Sequence, residues 1–173
     1  MTLANCTARA NNGYGIDASN DCTITQCTSV GNVGGIRVAN GGVISASTAS
    51  RNTGAYGIVV TGAGTTIQGC TVDSNSLDGI RVASNCLVLQ NTCNANGNVV
   101  GSPGSGIFTT GSGNRLDSNL TTNNLFVGIA LNGSNNFMVR NLATGNIAGP
   151  NQLIAGNRWA QIINNPAGGF VST

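Results

Sequence analysis

The chain has 173 residues with seven basic and five acidic side chains, a net charge of +2, 40% apolar residues and 26 glycines. Every basic residue is arginine and every acid aspartate, and Lys, Glu and His are absent. The length suits one domain. Charge this sparse and scattered excludes the basic stripe of a nucleic-acid binder, and no apolar run approaches the roughly eighteen residues of a membrane span.

The opening residues Met1–Cys6 lack the basic and apolar regions of a signal peptide. From Leu3 a unit of about twenty-two residues recurs. Its core is a small residue, then Thr or Leu, a small residue, two variable residues and Asn. In chain order it spans Cys6–Asn11, Cys27–Asn32, Ser47–Asn52, Cys70–Asn75, Asn91–Asn96, Asn119–Asn124 and Asn141–Asn146. Three residues before each copy stands an aliphatic residue or Met: Leu3, Ile24, Ile44, Ile67, Val88, Leu116 and Met138. Some ten residues after the opening position of the first six copies, from Gly15-Ile16 to Gly128-Ile129, a Gly-Ile pair begins a short alternating run with the period of a strand. Asn-Gly pairs at 12–13, 40–41, 96–97 and 132–133 read as corners.

A strand of three to five residues cannot bury a face alone. Stacked coils about 4.8 Å apart can pair their backbones along the axis and align the Ile and Val columns into one core. The predicted fold is therefore all-β, a right-handed parallel β-helix (solenoid) of about seven short coils. In the opening column Cys6, Cys27, Ser47 and Cys70 give way to Asn91, Asn119 and Asn141, where amides can bond coil to coil.

Asn114-Arg-Leu-Asp-Ser-Asn-Leu-Thr-Thr-Asn-Asn124 and Asn136-Phe-Met-Val-Arg-Asn-Leu-Ala-Thr-Gly-Asn146 resemble the parallel β-helix repeat family of the pectate-lyase-like superfold. The resemblance covers nearly the whole chain. It implies a fold that hosts lyases, hydrolases, epimerases, adhesins and carbohydrate-binding modules, and an extracellular or cell-surface location of bacterial type.

Residues 1–173 are expected to form a single β-helix domain, a fragment of a longer chain, with 147–173 an irregular C-terminal coil and cap. The N-terminal end looks open and is expected to meet flanking domains or a second copy end to end. Trp159 is expected to plug the bottom of the core, with sugar stacking the alternative. All six cysteines fall in repeat columns, which favours buried free thiols over a disulfide framework. Without His or C-x-x-C, no metal site is expected, and no cofactor motif is present.

Catalysis on this fold needs acids clustered on the Gly-Ile face. The column after each Ile reads Asp17, Arg37, Val59, Arg81, Phe108 and Ala130, with a single acid, and Asp17 stands three coils, about 14 Å, from Asp78. No catalytic set is assigned. Asp17 and Arg37 read as a surface ion pair. The long insertion Gly97–Ser105 lies between Arg81 and Phe108, and loops on rigid scaffolds carry function. Asp78, Arg81 and Phe108, with Arg37, are therefore the candidate ligand-binding residues, while Tyr14 and Tyr56 make a sparse sugar platform. A competing surface is the row Thr7, Thr28, Thr48, Thr71 and Thr92, which resembles the arrays of ice-binding solenoids but also suits simple strand propensity.

The leading functional reading is a non-catalytic extracellular solenoid module, carbohydrate-binding or structural and adhesive, with polysaccharide as partner and neither nucleic acid nor membrane. The alternatives are a polysaccharide lyase or glycoside hydrolase, and an ice-binding surface on the Thr row.

Overall fold

The computed structural model describes residues 1–98, 104–153, 155–159, 162–165 and 169–172, so residues 99–103 of the insertion lie outside the described residues. All regular structure among them is β, in strands of two to five residues. The strands form three sheets, visited in turn by every coil of a right-handed parallel β-helix. The first sheet has eight strands, from Thr2–Ala4 to Arg158–Trp159. The second has nine, from Thr7–Arg9 to the terminal hairpin, and the third has seven, from Tyr14–Ala18 to Gly149–Leu153. No helix of the described residues is long and apolar enough to cross a membrane.

The repeat columns are the sheet registers. In the first sheet Leu3, Ile24, Ile44, Ile67, Val88, Leu116 and Met138 pair in succession, and Trp159 follows Met138. In the third, Ile16, Ile36, Ile58, Ile80, Ile107 and Ile129 do the same. From Ile24 to Met138 these side chains are fully buried. Such a core is stabilised by about 25 cal/mol for each Å² of apolar surface removed from water. Register is thereby fixed, because a one-residue slip would turn every isoleucine toward solvent.

Each coil turns three corners, and each corner pairs a residue in the left-handed region with a small or amide side chain turned inward. Gly41, Gly97 and Gly133 supply the positive φ at three Asn-Gly sites. At most corners the left-handed residue before the inward side chain is not glycine, as with Ala95 (φ 53°) and Arg51 (φ 52°). That conformation costs an L-residue about 1–2 kcal/mol. The residue that follows provides the offset. Asn11, Asn32, Asn52, Asn75, Asn96, Asn124 and Asn146 form a continuous amide ladder, each Oδ1 accepting from the backbone N–H and Nδ2 of the Asn one coil earlier. A second ladder links Asn91, Asn119 and Asn141 below Cys70. A third links Asn114 and Asn136 to Asn157, below Cys86. All six cysteines are free thiols, five of them buried. Burial pushes the Cys70 thiol up to about 11.

The ladder also explains the motif glycine. A Cβ on Gly57, Gly79 or Gly106 would stand 2.6–2.8 Å from the Nδ2 of Asn75, Asn96 or Asn124. Past Asn146 the sequence loses its spacing while the pairing persists. Gly149–Leu153 adds to the third sheet and Arg158–Trp159 to the first. An antiparallel hairpin, Ile162–Asn165 with Gly169–Ser172, then lies against Leu142 and Ala143. Trp159, 47% exposed, ends the inward column of the first sheet.

Candidate functional site

Because the motif glycine and its isoleucine both face the interior, the residue before the glycine and the residue after the isoleucine emerge together on the outer side of the third sheet. These two columns meet across neighbouring coils. Tyr56 precedes Gly57, Asp78 precedes Gly79, and Ser105 precedes Gly106. Arg81 and Phe108 are paired neighbours in the column beyond the isoleucines.

The guanidinium carbon of Arg81 lies 5.0 Å from the ring centre of Tyr56 and 4.6 Å from that of Phe108. Each stack contributes about 0.5–1 kcal/mol at an exposed site and more as water is excluded. The same guanidinium donates from Nη1 to Asp78 Oδ2 at 2.9 Å. Asp78 Oδ1 accepts from the Ser105 amide at 2.8 Å. Burial raises the Asp78 carboxyl above its ordinary range, against the Ser105 amide and Arg81, which favour the ionised form. With only 6% of the residue exposed and both oxygens engaged, Asp78 orients Arg81. The remaining N–H groups of the Arg81 guanidinium bond to nothing among the described residues.

A cleft of about 170 Å³ opens over this group, walled also by Leu77, Ser105 and Phe126. The Ser105 hydroxyl, a lining group, is buried with no hydrogen-bond partner among the described residues. A second hollow of about 210 Å³ shares Phe108 and continues toward Asn132 and Gln152.

Asp78, Arg81 and Phe108 are thus brought together, whereas Arg37 stands two coils away. It donates from Nε to Asp17 Oδ1 at 2.7 Å, and its guanidinium lies 4.9 Å from the centre of the Tyr14 ring. The Tyr14 ring occupies the space that a side chain on Gly34 would need. Arg37, Asp17 and Tyr14 repeat the composition of Arg81, Asp78 and Tyr56 about 10 Å along the axis, beside an open hollow walled by Asp17, Arg37 and Thr61. The role of Tyr56 as a wall for Arg81, and those of Leu77, Phe126 and Ser105, were not read from the sequence. The available signal was a tyrosine two residues before one Ile and an arginine one residue after the next.

The Thr row is in register on the second sheet, from Thr7 through Thr92 into Leu120 and Leu142. The other outer column of that sheet is mixed, running Arg9, Val30, Ser50, Asp73 and Asn94. Among the described residues no cluster of three or more His, Cys, Asp or Glu could hold a metal ion.

Two solved structures share the fold. A mutant of the periplasmic alginate epimerase AlgG gives a TM-score of 0.80 at 18% identity, over 91% of this chain and 43% of that one. The A-module of the Azotobacter vinelandii mannuronan C-5 epimerase AlgE4 gives 0.64 at 16% identity, over 91% of this chain and 57% of that one. The chain therefore spans about half the length of either structure. At such identities the likeness is one of fold. No curated protein matches the chain in sequence. The description "right handed beta helix region" matches residues 1–146, ending on the last Asn of the long ladder. The chain belongs to that family of right-handed β-helix proteins.

Proposed function

We propose that this chain is a non-catalytic, carbohydrate-binding solenoid module of an extracellular or cell-surface protein, which holds a polysaccharide along the outer side of its third sheet. The observation that carries the reading is Arg81, stacked between Tyr56 and Phe108 and oriented by Asp78 at the mouth of a cleft. Aromatic faces suit sugar rings, and the spare guanidinium donors suit hydroxyl or carboxylate oxygens. The Arg37 group repeats the Tyr, Arg and Asp composition two coils away, a spacing that suits a polymer. Both similar structures are, by name, epimerases of alginate or mannuronan, one of them periplasmic, which supports a polysaccharide partner and a place outside the cytoplasm.

The acid–base inventory favours binding over turnover. Hydrolysis needs two carboxyl groups about 5–10 Å apart, and epimerisation needs groups that take and return a proton. The cleft holds one carboxyl group, Asp78, whose oxygens are both bonded. The chain has no His, Lys or Glu to serve beside it.

The test is calorimetric titration with acidic and neutral polysaccharides, alongside assays for unsaturated products and new reducing ends. Binding without turnover is expected, weakened roughly tenfold or more by Arg81→Ala. Turnover abolished by Arg81→Ala would replace this reading with an enzymatic one, and binding indifferent to Arg81→Ala would remove the site.

A further inference from the structure

A second strip of charge lies on the first sheet, away from the cleft. In its outer column Arg115, Phe137 and Arg158 occupy three successive coils in direct register. Arg115 lies 5.4 Å from the centre of the Phe137 ring. The backbone N–H of Arg158 bonds to Asn136 O at 2.8 Å, so its place in the column is fixed by the sheet. Arg140, at the neighbouring corner, joins the strip through Asp117. It donates from Nε to Oδ1 at 2.9 Å and from Nη2 to Oδ2 at 2.6 Å, while Arg115 donates to the same Oδ2 at 2.8 Å.

Asp117 is almost buried, whereas the side chains of Arg115 and Arg140 are 48% and 60% exposed. The carboxylate therefore fixes two guanidinium groups from beneath and leaves their other N–H groups outward. Arg158 is exposed and has no acidic partner among the described residues. The strip carries three positive charges against one negative. Beside it a hollow is walled by Phe137, Arg158 and Asn135.

We infer that this strip is a second binding site, for the acid groups of a carboxylated polysaccharide, independent of the cleft on the third sheet. Arg115 and Arg158 stand two coils apart, about 10 Å along the axis. The aromatic ring between them offers a sugar its apolar face, and each guanidinium offers a planar fork to a carboxylate. Three arginines are too few for a nucleic acid, whose binders typically neutralise about 6–10 phosphates.

The probe is polygalacturonate, titrated against the full chain at low and at high salt, with uncharged dextran and a single-stranded oligodeoxynucleotide as controls. In an Arg81→Gln background a salt-sensitive binding component is expected to remain. Adding Arg158→Gln alone should weaken it, and Arg115→Gln together with Arg158→Gln should weaken it roughly tenfold, with far-UV circular dichroism unchanged. Arg158→Gln keeps the test sound if Arg115→Gln disturbs folding, because the Arg158 side chain makes no hydrogen bond or ion pair among the described residues. Loss of all polygalacturonate binding in Arg81→Gln would overturn the second site while sustaining the first. Binding unmoved by the arginine pair, no binding at low salt, or equal binding of the oligodeoxynucleotide would each overturn the inference.

Discussion

Replacing Asn75 with alanine removes one rung from the middle of the long amide ladder. Asn75 is completely buried. Its Oδ1 accepts from Asn52 N–H at 3.1 Å and from Asn52 Nδ2 at 2.7 Å. Its Nδ2 donates to Ala49 O and to Asn96 Oδ1, both at 3.0 Å. Alanine deletes all four bonds, but not every partner is stranded. Asn52 Nδ2 keeps a bond to Ser29 O at 3.4 Å, and Asn96 Oδ1 still accepts from the backbone N–H of residue 75. The penalty therefore falls chiefly on the buried Asn52 N–H, because Ala49 lies mid-strand opposite Val72, where its carbonyl keeps a backbone partner. At about 1–3 kcal/mol for an orphaned buried group, with the lost amide bonds beside it, the loss is about 2–3 kcal/mol, a sizeable share of the roughly 5–15 kcal/mol that stabilises a domain. It corresponds to a fall in Tm of about 8 °C for a chain of this size. Asn75→Asp should do no better, since it keeps the acceptor but loses both donations and buries a charge. The side chain of Asn11, exposed at the end of the ladder, bonds only to Asn32 among the described residues, so Asn11→Ala should cost under about 1 kcal/mol. Urea unfolding followed by far-UV circular dichroism measures the difference, and hydrogen exchange should show the opening centred on residues 49–96. If Asn75→Ala and Asn11→Ala lose the same stability, the ladder does not hold the corners and the reasoning fails.

Gly79→Ala places a methyl group 2.6 Å from Gly106 O and 2.7 Å from Asn96 Nδ2, inside the ladder. It should cost about 1–3 kcal/mol through overpacking, and an unchanged urea midpoint would show that the motif glycine is not held by this contact. The two most buried aspartates should act oppositely with pH. Hydrogen bonds from Arg140, with further ones from Arg115 and Ser118, hold Asp117 well below the usual carboxylate range despite its burial. Its contribution is complete above the unfolded value near 3.9 and is lost as pH falls toward the depressed folded value. The carboxyl of Asp78 is raised by burial, so protonating it on descent through its folded value favours the native state. Urea midpoints between about pH 7 and 2 should therefore fall less steeply in Asp117→Asn than in the unmodified chain; parallel curves would count against the Arg140–Asp117 clamp as a source of stability.

Most of the architecture was legible because a solenoid repeats its burial pattern at fixed spacing. The column from Leu3 to Met138, the Gly-Ile pairs and the Cys-to-Asn column needed only period and polarity, and a single buried face then fixed the register. What periodicity could not supply was any contact made by a side chain across coils of unequal length. Successive rungs of the long ladder are 20–23 residues apart, but Asn96 and Asn124 are 28 apart across the insertion. Ala95 and Arg51 do not announce left-handed corners, because that conformation is supported by the amide bonds of the next residue and not by their own propensity. The motif glycine looked like a strand boundary, and only the packed structure showed the Asn ladder against its Cα. Arg37 and Arg81 occupy one column in the sequence, yet Arg37 turns to Asp17 and Arg81 to Asp78. Period and polarity alone specify the coil, its core and its outward columns, since these follow from alternation and burial along one strand. Which outward side chains meet was decided by the tertiary structure, because stacking and ion pairing depend on rotamers and on neighbours twenty or more residues away.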